Sequence, residues 1–466
     1  MSKLSILKQK NKRDVDMTQG SIFRHLITFA FPLLIGNIFQ QLYNTVDTWV
    51  VGNYVSNEAF SAVGTVGPVI NMLIGIFLGL SSGAGVVISQ YYGAKRYDKV
   101  RDTVHTSIVM TLILAVLFTI IGIAMIPFVL NFMKTPAEVM PESSAYLTIY
   151  FAGVIGLMLY NMGSGILRAV GDSKRPFYFL VVSAVLNIIL DLVFVLSLGM
   201  GVEGVAYATI ISQGVSATLT MITLFRTDSC IKVELKYLKL DKEMLAKIVR
   251  VGIPAAIQMA ITSFSNVFVQ SYVNYFGADC MSGWTAYSKI DQLLFLPMQS
   301  LALASTTFVG QNLGIDQVNR AKKGARTAFL MSVVATVILT IPLLIFAPQL
   351  VSFFNGKAEV VAYGSMLLRY CSPFYVFCCV NQVYSGVRMI IMLSSFVIFR
   401  QIYLFIMANF ISNTIIPIAL GYPAGWLVCS TLTLLYYRHA DLSKSRLVED
   451  AEKKAEASGK SRIEAV

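Results

Sequence analysis

Two stretches decide the architecture: residues 25–51, HLITFAFPLLIGNIFQQLYNTVDTWVV, and residues 248–275, IVRVGIPAAIQMAITSFSNVFVQSYVNY. Each exceeds the roughly 20 apolar residues a helix needs to cross a bilayer. Each also carries a proline near its start and an asparagine twelve positions later, Pro32 with Asn44 and Pro254 with Asn266, at a common offset of 222. Further along, Gln90-Tyr91-Tyr92-Gly93 matches Gln311-Asn312-Leu313-Gly314, and Ser164-Gly165 matches Ser385-Gly386. The chain is therefore written twice. Apolar segments recur at 25–51, 60–90, 104–132, 146–167, 177–198, 204–225, 248–275, 282–307, 327–354, 361–386, 389–419 and 422–437, six in each half. Six spans per half give both halves the same orientation, related by an axis along the membrane normal. The predicted fold is all-α and integral to a membrane, with twelve transmembrane helices in two pseudo-symmetric six-helix bundles.

Composition agrees with lipid as the solvent. Hydrophobic residues make up 56% of the chain and charged ones 13%, with a mean hydropathy of +0.68. A soluble domain carries nearer a quarter of its residues as charges. The net charge of +12 belongs to the connections rather than to a nucleic-acid surface, since 32 of the 37 Lys and Arg fall on one alternating set of loops and tails. Connections 1–2, 5–6, 7–8 and 11–12 carry none. By the positive-inside rule both termini are expected in the cytoplasm, in a multi-pass protein of the cell (inner) membrane whose surroundings are the bilayer. The boundaries expected are an arm over 1–24, a first bundle over 25–226, a linker over 227–247, a second bundle over 248–438 and a charged tail over 439–466. The basic, polar start is not a signal peptide by pattern. Six cysteines and three histidines show no metal-ligand spacing and read as helix fillers.

Two connections are irregular. Eleven residues separate Gly165 from Phe177, but only two separate Gly386 from Met389, which predicts a shortened tenth helix or a strained turn near Val387-Arg388. In the linker, Ile231, Val233, Leu235, Leu238 and Leu240 fit either a surface-lying segment or a solvated one.

Ionisable residues inside spans mark function by default, because lipid penalises them. Asn37, Gln40, Asn44 and Asp47 recur at spacings of 3, 4 and 3, so they share one face of the first helix. Asn187 precedes Asp191 by one turn on the fifth. A carboxylate in a low-dielectric site takes up and releases a proton near neutral pH. Ionised and flanked by amide oxygens, it holds a hard cation instead. The expected coupling residues are therefore Asp47, Asp191, Asn187, Asn44 and Gln40, with H⁺, or Na⁺ at Asp47 and Asp191, as the ion and no other cofactor. A hydrated, structural Asp47 is the plainer alternative. The second half lacks this pair: Asp47 becomes Val269, and Asp191 aligns with Tyr403. Helix seven offers only neutral groups such as Gln258 and Asn266, while Lys289, Asp291 and Arg400 invite a structural ion pair across helices. Asn37, Tyr43, Tyr160, Gln258, Met259, Asn266, Tyr287, Phe295 and Met298 are the candidates for lining a pocket that takes flat, lipophilic cations through π-face and thioether contacts.

The pattern resembles the multidrug and toxic compound extrusion (MATE) family. The likeness rests on Pro32 with the stripe ending at Asp47 and the following Val51-Gly52-Asn53-Tyr54, and on Ser89-Gln90-Tyr91-Tyr92-Gly93. It also rests on Leu167-Arg168-Ala169-Val170-Gly171-Asp172 before Pro176, and on Gly310-Gln311-Asn312-Leu313-Gly314. It covers roughly residues 20–440. The resemblance implies a V-shaped two-lobe antiporter that exports small organic cations against H⁺ or Na⁺ by alternating access, coupled through Asp47 and Asp191. A lipid or lipid-linked oligosaccharide flippase of the same superfamily is the alternative. Nothing in the spans matches a membrane-embedded enzyme motif, an ATP-binding loop or a channel filter. With its repeat internal, one chain is expected to work as a monomer.

Overall fold

The computed structural model describes residues 14–55, 57–133, 135, 137–354, 356–384, 394–411, 414–439 and 446–448. Among them no strand occurs, and the helices follow the order the sequence predicts. The first half contains α1 (Ile22–Tyr54), α2 (Asn57–Gly93), α3 (Tyr97–Phe132), α4 (Met140–Ala152 and Val154–Ala169), α5 (Lys174–Leu192) and α6 (Gly201–Arg226). The second contains α7 (Lys242–Asn274), α8 (Ala278–Gly314), α9 (Val318–Ile345), α10 (Ala358–Cys371 and Tyr375–Val383), α11 (Arg400–Ile406, flanked by π-helical turns Ser394–Phe399 and Met407–Ile411) and α12 (Gly421–His439). The tight connection expected at Val387-Arg388 lies outside the described residues.

Among the described residues eight helical runs are long and apolar enough to cross a bilayer unaided, and α4 makes a ninth when its two parts, bent by 48° at Gly153, count as one span. In α10 the break is a 3-10 turn over Ser372–Phe374, where Pro373 removes a donor. Such breaks persist in lipid where neighbouring protein meets the freed backbone groups. Along α3 and its counterpart α9 large apolar residues point outward, with Ile120 63% and Ile338 61% exposed. An outer surface of that kind suits only a hydrocarbon solvent.

The repeat survives into backbone detail. After α2, Lys95 N–H donates to Tyr92 O and Arg96 N–H to Tyr91 O, both at 3.0 Å. After α8, Asp316 N–H donates to Leu313 O at 3.1 Å and Gln317 N–H to Asn312 O at 2.9 Å. Lys95 and Asp316 both take a left-handed conformation, at φ 58° and 63°, so each half closes the same turn with the left-handed residue at the same position.

These turns meet at one end of the molecule, which also carries the basic connections. There the halves interlock. A Cβ on Gly93 would stand 1.9 Å from Gln311 O, and one on Gly314 would stand 2.0 Å from Gln90 O. The two contacts exchange under the repeat, so the pseudo-twofold axis runs between them. The same two glutamines anchor the chain ends: Gln311 Oε1 accepts from Met17 N–H at 2.9 Å, and Gln90 Oε1 from Leu447 N–H at 2.7 Å. Deeper in, α2 runs against α7 backbone to backbone, and a Cβ on Gly83 would meet Gly252 Cα at 2.6 Å.

The linker lies partly on the surface, with Leu235 73% exposed, and partly in the core. Ile231 and Val233 join the core of the first half, and Val233 N–H donates to Leu224 O at 2.9 Å. Glu234 N–H donates to His105 Nε2 at 3.0 Å, which leaves Nδ1 to donate toward Arg101 O at 2.7 Å.

Gly83→Val should force α2 and α7 apart, since backbone rather than a flexible side chain blocks the added group. The expected loss is about 1–3 kcal/mol, read as a lower melting temperature of the purified protein; an unchanged melt would show that the seam yields freely.

Candidate cation site and cavity

α1 and α5 bring Asp47 and Asp191 together in the interior of the first half, 9% and 0% exposed. Their carboxyl groups lie within hydrogen-bonding reach of each other. Ionised carboxylates only accept hydrogen bonds, so two of them face each other stably only with a proton or a cation between them. Apart from that mutual contact, Asp47 Oδ1, both Asp191 oxygens and both amide atoms of Asn187 find no hydrogen-bond partner among the described residues. Asn187 sits one turn before Asp191, buried on the same face of α5. A buried cluster of unsatisfied carboxylate and amide oxygens suits a hard cation such as Na⁺, and the pair alone suits a proton.

Other groups close the site. From α4 and α6, Tyr146 lies beside Thr209 and Tyr150 beside Gln213. The sequence reading missed all four. Their signal was present as two pairs at i, i+4 spacing, which puts each pair on one helical face.

Next to this site is a cavity of about 480 Å³. α1, α2, α4, α5 and α6 form most of its wall, and α7, α8 and α10 contribute the rest. Of the residues expected to line a pocket, Asn37, Tyr43, Tyr160 and Met259 do so, together with Gln40. Asn37 Nδ2 also donates across the halves to Ser300 Oγ at 3.4 Å, and Tyr160 donates to Pro176 O at 3.2 Å. Asn44 is exposed and off this wall. Tyr43 lines the cavity and is in electrostatic contact with Asp47.

The MatE family profile matches residues 32–193 and again 254–422, once in each half. The chain belongs to the MatE family. Among similar proteins are two from Bacillus subtilis (strain 168). The probable multidrug resistance protein YoeA is 30% identical over 90% of this chain and 94% of its own length, and the probable multidrug resistance protein YpnP is 28% identical over 91% and 96%. A solved MOP superfamily transporter from Pyrococcus furiosus Vc1 superposes with a TM-score of 0.87 at 24% identity, over 92% of this chain and 98% of that one, which shows the fold.

In the second half of this MatE protein the remaining pocket candidates lie elsewhere. Tyr287, Phe295 and Met298 pack into the core of their own bundle, with the Phe295 ring 5.8 Å from that of Tyr375. They come earlier along α8 than its cavity-lining residues, which begin at Gln299. Gln258 is also off the wall. Asn266 is committed to structure: its Oδ1 accepts from Arg400 at 3.1 Å and from Tyr422 at 3.2 Å. Arg400, 1% exposed, also donates to Ser265 Oγ at 2.5 Å and lies 4.6 Å from the Tyr422 ring centroid. The ion pair envisaged between Asp291 and a basic residue does not form among the described residues. Asp291 accepts from the Tyr375 hydroxyl instead, and Lys289 is exposed.

A cation that binds the aspartate pair must stabilise the fold by mass action. The melting temperature of the purified protein should therefore rise with added Na⁺ or with falling pH, whichever ion the pair takes, and Asp191→Asn should lose that response. A variant that still responds as the unaltered protein does would remove Asp191 from the site.

Proposed function

We propose that this MatE protein exports small organic molecules from the cell by antiport, with H⁺ or Na⁺ entering at Asp47 and Asp191 and cargo held in the neighbouring cavity. The observation that carries this reading is a buried carboxyl pair with unsatisfied oxygens, coupled electrostatically to Tyr43 in the wall of a cavity of about 480 Å³. That adjacency gives a means of exchange. A cation arriving between the carboxyls cancels their field at Tyr43 and Gln40 and so weakens the hold on a cationic group in the cavity. Removing the ion restores that hold. Alternating access then needs the two halves to part at the basic end, where Gly93 and Gly314 seat against Gln311 and Gln90. The naming of YoeA and YpnP for multidrug resistance supports cargo of this class. The basic end is assigned to the cytoplasm by its Lys and Arg.

In liposomes containing the purified chain, with pH and Na⁺ gradients imposed separately, ethidium efflux should follow one gradient and not the other. Asp47→Asn and Asp191→Asn should each lower the gradient-driven rate by about tenfold or more, since the charge that couples the two sites is gone. Normal driven efflux in both variants would place coupling elsewhere. Retention of ethidium under either gradient, by well-folded protein, would count against export of organic cations.

A further inference from the structure

The cavity wall holds a charge that the sequence reading assigned to the connection between α4 and α5. Arg168 belongs to the last turn of α4 and lines the cavity. Among the described residues of that wall it is the charged one, and no carboxylate accompanies it. Its guanidinium makes no hydrogen bond or ion pair with any described residue. The acid nearest in sequence, Asp172, is held by Arg175 at 3.0 Å. A helix C-terminus favours a nearby cation, which accounts for an arginine in this turn but gives its five donors nothing to bond. Arg168 is half-buried, and a guanidinium partly withdrawn from water without a partner carries a cost that is recovered when an oxyanion meets it.

The surroundings suit such a guest. Asp47, Tyr43, Tyr160 and Arg168 follow one another through successive electrostatic contacts, so the cavity has the aspartate pair behind its wall near Tyr43 and Arg168 on the wall beyond Tyr160. Along the wall between them lie neutral hydrogen-bonding groups, among them Gln40, Ser81 and Gln213. A molecule with a cationic centre alone would satisfy one end of this field and oppose the other.

We propose that Arg168 is the anion-binding end of the cavity, and that the cargo is an amphoteric organic molecule whose carboxylate or phosphate pairs with its guanidinium. The assignment rests on the reading of this cavity as the cargo site.

The test uses a matched pair of probes, a rhodamine with a free carboxyl group and the methyl ester of the same dye. They share the cationic ring system and differ in the anion alone. Binding is measured by fluorescence anisotropy on the full chain in nanodiscs of neutral lipid. The carboxylate dye should bind about tenfold more tightly than its ester, the value of one charge-assisted contact. Arg168→Gln should erase that preference, and Arg168→Lys should keep part of it. Equal affinities in the unaltered protein overturn the assignment without any variant, as does a preference that survives Arg168→Gln. A preference that disappears once anionic lipid is added would give Arg168 to a lipid headgroup and overturn the cargo assignment too. Gradient-driven efflux of the ester without a carboxylate preference would sink this inference and leave export standing. A preference without efflux of either dye would do the reverse.

Discussion

The fold turns on a close contact of backbone with backbone where the two halves meet. Gly93 and Gly314 admit the carbonyls of Gln311 and Gln90 to distances that no side chain would permit, and Gly83 does the same for α7. In lipid, apolar side chains gain little by leaving the solvent, so helices associate through close packing and hydrogen bonds. Small residues at the seam supply the packing, and Gln90 and Gln311 supply the bonds. Because each glutamine also holds one end of the chain, the seam, the N-terminal arm and the residues around Leu447 form one connected closure.

Beside this symmetric seam the two bundles have diverged in charge. The first half carries Asp47 and Asp191 with oxygens that no donor satisfies. In the second, Val269 and Tyr403 stand at the corresponding positions. There Arg400 reaches from α11 to Ser265 and Asn266 on α7, the helix pair that matches α5 and α1. One half therefore carries unsatisfied buried carboxylates, whereas the other holds a fixed cation, Arg400, already bonded. An exchangeable ion needs unsatisfied oxygens, and among the described residues the buried carboxylate oxygens of that kind lie in the first half. The cavity follows the same bias, since most of its wall comes from that half.

How much of this was legible varied with the kind of signal. Hydropathy and the alternation of charge gave the order of the helices, because lipid imposes both over long stretches. Asp47 and Asp191 stood out because a carboxylate inside a span needs a reason. Tyr146, Tyr150, Thr209 and Gln213 did not, because Tyr and Thr are ordinary in such helices and only their neighbours give them meaning. Tyr287, Phe295 and Met298 look on paper like Tyr43 and Met259. Their place along α8, before the residues that reach the cavity wall, decides that they fill a core.

The sequence by itself determined that this protein lives in a membrane, that it is built as a repeat, and that its buried acids lie in the first half. Each of these depends on composition and spacing along the chain, which folding cannot alter. Tertiary structure alone decided that Asp47 meets Asp191, that the linker's Ile231 and Val233 are core, and that Arg168 belongs to a cavity wall instead of a loop. Those facts depend on how helices turn and pack against one another, and contacts between residues far apart in the chain leave no periodic trace in it.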